Sequence, residues 1–149
     1  MNKIKQLLLT FIGIMLFSLA STTQSIAQAP SNHIFHINTW YMIPGQDSIV
    51  KAERDAILKE YHNKVTMKNE FVLHTSSMTH FFTDDSREYV VVTEYASLGD
   101  IEKAFDRDSE LERQAWPDAK QRMDFMKKMN GYFSYHKDAI FHSIPSLSK

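Results

Sequence analysis

The chain has 149 residues, a formal net charge of −1 at pH 7 and 43% hydrophobic residues. This nearly balanced charge argues against a nucleic-acid partner, because binding to phosphates requires a concentrated basic surface. The chain has no cysteine, which excludes disulfide bonds and a lipid anchor on cysteine.

The N-terminal segment has the pattern of a secretory signal peptide. A start with two lysines precedes an apolar run from Leu7 to Ala20, which is too short for a transmembrane helix. Small residues ending at Ala27 form a cleavage site. We therefore predict a signal peptide over residues 1–27 and a single domain over residues 28–149. The expected location is periplasmic or secreted, with no membrane association after cleavage.

The domain begins with a predicted strand and a predicted helix. His33 to Ile43 is rich in aromatic and β-branched residues, and Pro44-Gly45 ends this strand in a turn. Asp47 or Ser48 then caps a helix that is expected to reach about Lys68. The predicted apolar face of this helix consists of Ile49, Val50, Ile57, Tyr61 and Val65.

Two further strands, residues 70–82 and 88–96, are predicted to form an antiparallel hairpin. A second helical region follows and is predicted to be broken, with one piece capped by Asp108 and the next beginning at Pro117. Asn130-Gly131 ends this region, with the glycine at the position after the helix, and residues 132–142 form the last strand. The predicted apolar stripe of the last helical piece is Ala119, Met123, Met126 and Met129.

This element order, β-α-β-β-α-β, predicts an α+β, ferredoxin-like fold: a four-stranded antiparallel sheet with the helices on one face. The other face of the sheet would be uncovered. Large apolar side chains nevertheless stand on both sides of the first strand, with Phe35, Ile37 and Tyr41 on one side and Ile34, Trp40 and Met42 on the other. An uncovered apolar face requires a partner, so we expect a homodimer in which two sheets close a barrel.

The first strand ending in Pro44-Gly45, the hairpin and the broken second helix resemble the dimeric α+β barrel superfamily. This superfamily includes antibiotic-biosynthesis monooxygenase-like proteins and bacterial heme-degrading monooxygenases, and the resemblance implies the fold more than the function. The heme-degrading members carry a pocket asparagine seven residues before the turn glycine, and Asn38 stands seven residues before Gly45. The tryptophan and histidine of those enzymes would fall near Ala104 and Gln114, so heme degradation is not expected.

Several polar residues are candidates for a binding site between sheet and helices. Side chains alternate along a strand, so His36, Asn38 and Trp40 share a face. A hairpin register that pairs Phe82 with Glu88 puts His74 on the same face as Glu94, and a shift of one residue would separate them. The predicted ligand-binding residues are His36, Asn38, Trp40, His74, Glu94 and His136.

The chemistry of this group has several interpretations. A histidine can act as a base that a carboxylate orients, and His136 and Asp138 would face the same side if that segment is extended. The histidine spacing does not favour a metal site, and no cofactor is predicted. Three functions remain open: binding of a small apolar or aromatic molecule, a cofactor-independent monooxygenase-like enzyme, and a non-catalytic structural or interaction protein.

Overall fold

The computed structural model describes residues 32–80 and 83–147, and the predicted signal peptide lies outside them. The strands and helices are β1 (Ile34–Met42), α1 (Ser48–Lys64), β2 (His74–Thr79), β3 (Glu88–Tyr95), α2 (Leu98–Ala115), α3 (Ala119–Asn130) and β4 (Phe133–His142). Within these ranges no helix is both long enough and apolar enough to span a membrane.

The four strands form one antiparallel sheet in the order β2-β3-β1-β4. β1 and β3 are therefore central, and the first and last strands of the domain are neighbours. This arrangement confirms the predicted α+β, ferredoxin-like fold. The helices pack on one face of the sheet, which we call the inner face, and the opposite face is the outer face.

The register of the strands decides which side chains share the inner face. His36 stands opposite Thr93 of β3 and Ile140 of β4. Directly opposite residues of antiparallel strands point to the same side, so this row defines the inner face. The outer face presents the alternate residues, which are largely apolar: Phe35, Ile37, Tyr41, Val90, Val92, Tyr135 and Phe141.

Two groups of buried side chains fix the helices. Val65, Leu111 and Trp116 form one group, and each is at most 4% exposed. Tyr95, Ile101 and Ala104 form the other and join the end of β3 to the first turns of α2. These groups hold α1 and α2 in place.

The first helix is close to the prediction at its start and shorter at its end. Asp47 is the N-cap, and its carboxylate accepts from the backbone N–H groups of Ile49 and Val50, each over 2.9 Å. The helix ends at Lys64, and a separate 3₁₀ turn covers Thr66–Lys68. Ile49 is 69% exposed, so it does not belong to the buried face.

The predicted break at Asp108 is wrong, because α2 runs through that residue without interruption. The Asp108 side chain is used in a tertiary hydrogen bond with Asn69 instead of capping a helix. The interruption occurs at Trp116, and the N-cap of α3 is Asp118, whose side chain accepts from the backbone N–H of Gln121. The helix therefore starts after Pro117 and not at it.

The packed side of α3 also differs from the predicted stripe. Met123 is 63% exposed, whereas Phe125 stacks on Trp116 with ring centroids 4.1 Å apart. Met126 and Met129 of the predicted stripe are half-buried, whereas Ala119 and Met123 are exposed, so the stripe holds only in the second half of the helix. At the end of α3, Gly131 is the C-cap, with φ −65, and directly follows the last helical residue, Asn130.

Both hairpin strands are shorter than predicted. β2 begins at His74 instead of residue 70 and ends at Thr79, and β3 ends at Tyr95. The Asn69 side chain accepts from the backbone N–H of Phe71, and the resulting turn keeps the residues before His74 out of β2. β4 is not interrupted between His136 and Asp138, and its irregularity lies where it pairs with Tyr41 and Met42.

Candidate functional site

A cavity of about 620 Å³ lies between the inner face of the sheet and the three helices. All four strands and all three helices contribute side chains to its wall. Much of this wall is aromatic: Trp40, Tyr61, Tyr89, Tyr95, Phe105 and Phe133 line the cavity. A partly aromatic concave space of this size is typical of a small-molecule site.

The sheet side of the cavity is built by alternation along paired strands. Asn38 stands opposite Val91 on one side and Asp138 on the other. Two residues further along β1, Trp40 stands opposite Tyr89 and His136. Polar groups from β1 and β4 therefore meet in one place on the inner face.

These polar groups form a connected set that we call the β1–β4 polar cluster: His36, Asn38, His136 and Asp138. The Nε2 atom of His36 lies 3.2 Å from Asp138 Oδ1, and the Nε2 atom of His136 lies 3.2 Å from Asp138 Oδ2. The Asn38 amide also donates to Asp138 Oδ1. One carboxylate thus contacts two imidazoles and an amide.

The position of the proton on His36 decides what the cluster can do. A proton on Nε2 is donated to Asp138, which leaves Nδ1 as an acceptor. The amide nitrogen of Asn38 also lies 3.3 Å from His36 Nε2, and its donation there requires the proton to be on Nδ1. The geometry is compatible with both tautomers, and in each of them the ring has one nitrogen that donates a hydrogen bond and one that accepts.

Packing holds both imidazoles in place. His36 is 8% exposed and meets the ring of Phe105 edge-on, with centroids 6.1 Å apart. The His136 ring stacks on Trp40 at 4.4 Å. Fixed rings of this kind need little reordering when a ligand arrives, which reduces the entropic cost of binding.

Several lining residues on and near the edge strand β4 are exposed to solvent. The side chains of His136 and Asp138 are 44% and 46% exposed. Phe105 on α2 and Ile140 on β4 line the cavity and are each 53% exposed. The exposed part of the lining therefore combines apolar groups with members of the polar cluster.

The helix side of the cavity carries a second carboxyl group, that of Asp108. Its Oδ1 atom accepts from Asn69 Nδ2 over 2.7 Å, and burial raises the pKa of this carboxyl. The nearby Tyr61 hydroxyl donates to Glu112 over 2.9 Å. Burial first, and then the charges of Asp108 and Glu112, raise the pKa of Tyr61, so its hydroxyl keeps its proton.

Four of the six predicted site residues lie together: His36, Asn38, Trp40 and His136 line the cavity. His74 and Glu94 do not, because they stand opposite each other on the outer face, where Glu94 also stands opposite Phe35. In the hairpin, His80 and not Phe82 lies beside Glu88. This shift of two residues leaves each side chain of the hairpin on the face that was predicted for it. Combining both groups in one pocket was therefore wrong. Glu94 instead contacts the His33 ring.

Two important cavity residues were not among the six. Asp138 enters the prediction only as a partner of His136, and the alternation along β4 is the signal that places it on the same face. The local pattern at Asp108 is that of a helix cap, and it does not indicate the long-range contact with Asn69. Within residues 32–80 and 83–147, no group of three or more histidines and carboxylates is arranged to hold a metal ion.

No protein-family model matches the sequence, and no curated protein is significantly similar to it. Solved structures do match the fold. SnoaB, a cofactor-independent oxygenase from Streptomyces nogalater, superposes with a TM-score of 0.50 at 9% identity, covering 80% of this chain and 100% of that protein.

Two further structures match in the same way. A protein from Caulobacter crescentus CB15, provisionally classed as an antibiotic biosynthesis monooxygenase, gives a TM-score of 0.50 at 13% identity over 78% of this chain and 93% of its own. A conserved protein from Methanosarcina mazei Go1 gives 0.51 at 9% identity over 76% and 94%. The chain thus shares its ferredoxin-like fold with these solved structures.

Proposed function

We propose that this protein binds a small apolar or aromatic molecule between its sheet and helices. The observation that carries the proposal is the cavity of about 620 Å³, in which aromatic rings surround the β1–β4 polar cluster. Apolar walls supply most of the affinity in sites of this kind, and a few positioned polar groups orient the ligand.

The polar cluster suits this role because its members are already held in place. Asp138 contacts His36, His136 and Asn38, so a ligand meets oriented donors and acceptors. A carboxylate without such partners would be costly to desolvate when the ligand covers it.

A neutral fluorescent probe, N-phenyl-1-naphthylamine, tests the proposal. The chain has two tryptophans, Trp40 in the cavity and Trp116 in the core. In a Trp116→Phe background, energy transfer from Trp40 to the probe reports binding at the cavity. Asn38→Ala and His36→Ala should each weaken binding about tenfold, the loss of roughly one to two kcal/mol of polar contact.

The matched controls are Asn63→Ala and His142→Ala, since both residues are exposed and neither lines the cavity. They should leave the affinity for the probe unchanged. If the probe does not bind, or if the cavity and control variants behave alike, the binding function is wrong and a structural or interaction role remains.

A cofactor-independent monooxygenase-like enzyme is the second candidate function, and the contact between His36 and Asp138 favours it. An imidazole that a carboxylate orients is a suitable general base for removing a proton from an activated aromatic substrate. Exchange of the C2 hydrogen of 1,3-dihydroxynaphthalene with D₂O, followed by NMR, tests this step. The wild type should accelerate exchange relative to His36→Gln. Equal rates would contradict the enzymatic function and leave only the binding function.

Two further features belong to the proposal. The apolar outer face supports a homodimer formed by two sheets, with Phe141 54% exposed and Tyr135 46% exposed on that face.

The signal-peptide pattern supports export to the periplasm or medium. N-terminal sequencing of protein from a periplasmic fraction tests export: a mature chain starting at Gln28 is expected, and an intact N-terminus recovered from the cytoplasm would contradict it.

A further inference from the structure

The charged groups around the cavity are not balanced. Two carboxylates line it, Asp108 on α2 and Asp138 on β4, and no lysine or arginine does so among the described lining residues. The remaining titratable groups among the described lining residues are three histidines, His36, His62 and His136, and the three tyrosines of the aromatic wall. When the histidines are neutral, the wall is negative.

Asp108 is held in place with one oxygen still available. Asn69 donates to Oδ1, and Asn69 is itself 3% exposed and fixed by the Ala104 carbonyl over 2.9 Å. Within the described residues, no hydrogen bond reaches Oδ2. In that same part of the chain every buried side-chain oxygen has a partner, so Oδ2 is not fully buried, and Asp108 lines the cavity.

The cation adjacent to Asp108 in the sequence is directed elsewhere. The Arg107 guanidinium contacts Glu70 over 2.9 Å and Glu110 over 2.8 Å. Among the described residues, no lysine or arginine forms an ion pair with the Asp108 carboxylate. Asp108 lies near Tyr61 and Tyr95, whose pKa values its charge raises after the larger effect of burial.

We propose that the cavity selects a small molecule that carries a protonated amine on an aromatic or apolar body, and that Asp108 accepts a hydrogen bond from this ammonium group. The inference rests on the proposed binding function. A cation offsets the cost of a partly desolvated carboxylate, gains a charge-assisted hydrogen bond, and interacts favourably with aromatic faces. An anionic ligand would meet two carboxylates and no compensating cation.

Three probes with the same phenol ring and different tails test the inference: tyramine, 4-ethylphenol and 4-hydroxyphenylacetate. Their affinities are measured by displacement of N-phenyl-1-naphthylamine and by calorimetry at pH 8, where ordinary histidines are neutral. We expect tyramine to bind at least about tenfold more tightly than 4-hydroxyphenylacetate, with 4-ethylphenol between them.

Asp108→Asn keeps the shape of the side chain and removes its charge. It should reduce the preference for tyramine over 4-hydroxyphenylacetate to within about twofold, while circular dichroism confirms that the variant is folded. Asp124→Asn is the matched control, because Asp124 is exposed on α3 and paired with Lys120; it should retain the full preference.

The outcomes separate this inference from the proposed function. If the naphthylamine probe binds but tyramine does not displace it, or if the three phenols bind alike, the cavity is a binding site and the amine selectivity is wrong. The selectivity is also wrong if Asp108→Asn retains it. If neither the naphthylamine probe nor any phenol binds, the binding function itself fails.

Discussion

Asn69 donates a hydrogen bond to Asp108 over 2.7 Å, although 39 residues separate them in the chain. The same amide group donates to the Ala104 carbonyl, and the Asn69 carbonyl oxygen accepts from the backbone N–H of Phe71. One buried side chain thus ties the turn before β2 to the middle of α2 and fixes a carboxylate in the cavity wall.

Removing this amide should destabilise the protein. Asn69→Ala removes the hydrogen bonds to the Ala104 carbonyl, the Asp108 carboxylate and the Phe71 N–H, which costs about 2–3 kcal/mol. Urea unfolding followed by circular dichroism measures the change. The control, Asn63→Ala, alters an exposed residue of α1 and should change the free energy of unfolding by less than about 0.5 kcal/mol. Equal effects of the two substitutions would contradict the role of Asn69.

The charge of Asp108 should make stability depend on pH. Burial raises the pKa of this carboxyl above its ordinary value of 3.8, the Asn69 hydrogen bond partly opposes that effect, and the nearby Glu112 adds a smaller increase. The folded protein therefore binds the proton more tightly than the unfolded chain, and ionisation above the folded-state pKa reduces stability.

Asp108→Asn should accordingly increase the free energy of unfolding at pH 7. The gain should disappear as the pH falls below 3.8, where the carboxyl is protonated in both the folded and unfolded states. Urea titrations of wild type and variant at several pH values test this. A variant that is less stable than the wild type at pH 7, or a difference that does not change with pH, would show that the buried charge is not costly.

The core beneath α2 and α3 should be sensitive to cavities. Leu111 is 3% exposed and packs with Val65 and Trp116. Leu111→Ala should cost about 2–5 kcal/mol, through lost burial and the cavity left behind. Leu98→Ala, at a position that is 61% exposed, is the matched control and should cost less than about 1 kcal/mol. Thermal unfolding distinguishes the two.

A charge on the outer face should separate the proposed dimer. Ile37 lies between Val92 and Ala139 on that face. Ile37→Glu would bury an unpaired carboxylate at the interface and should shift the protein from dimer to monomer in light scattering. Ile49→Glu adds the same charge at a 69% exposed site on α1 and should leave the oligomeric state unchanged. A wild-type monomer would contradict the dimer.

Much of the fold follows from local patterns in the sequence. Alternation along β1 placed His36, Asn38 and Trp40 on one face, and the pairing with β3 and β4 keeps them there. The turn at Gly45, with φ 80, and the cap at Asp47 are also local signals. Such signals act within a few residues, which is why they could be recognised without the structure.

Other parts of the site depend on contacts between distant elements. The alternation within the hairpin does not indicate which of its faces continues the inner face of β1. The prediction that Glu94 lies in the cavity with His36 is therefore wrong, because Glu94 stands opposite Phe35 on the outer face. Asp108 has the local pattern of a cap, and only the approach of Asn69 gives it another partner. The periodicity of the sequence does not indicate such contacts between distant elements.

The hydrogen bond from Asn38 to Asp138 joins residues 100 positions apart, because the first and last strands of the domain are neighbours in the sheet. The polar cluster therefore forms only when β4 pairs with β1, which we call closure of the chain. A chain that lacks β4 cannot form this cluster. A ligand held by the polar cluster would bind only the closed chain and would favour closure by mass action. Fragments and nascent chains should accordingly take up no ligand.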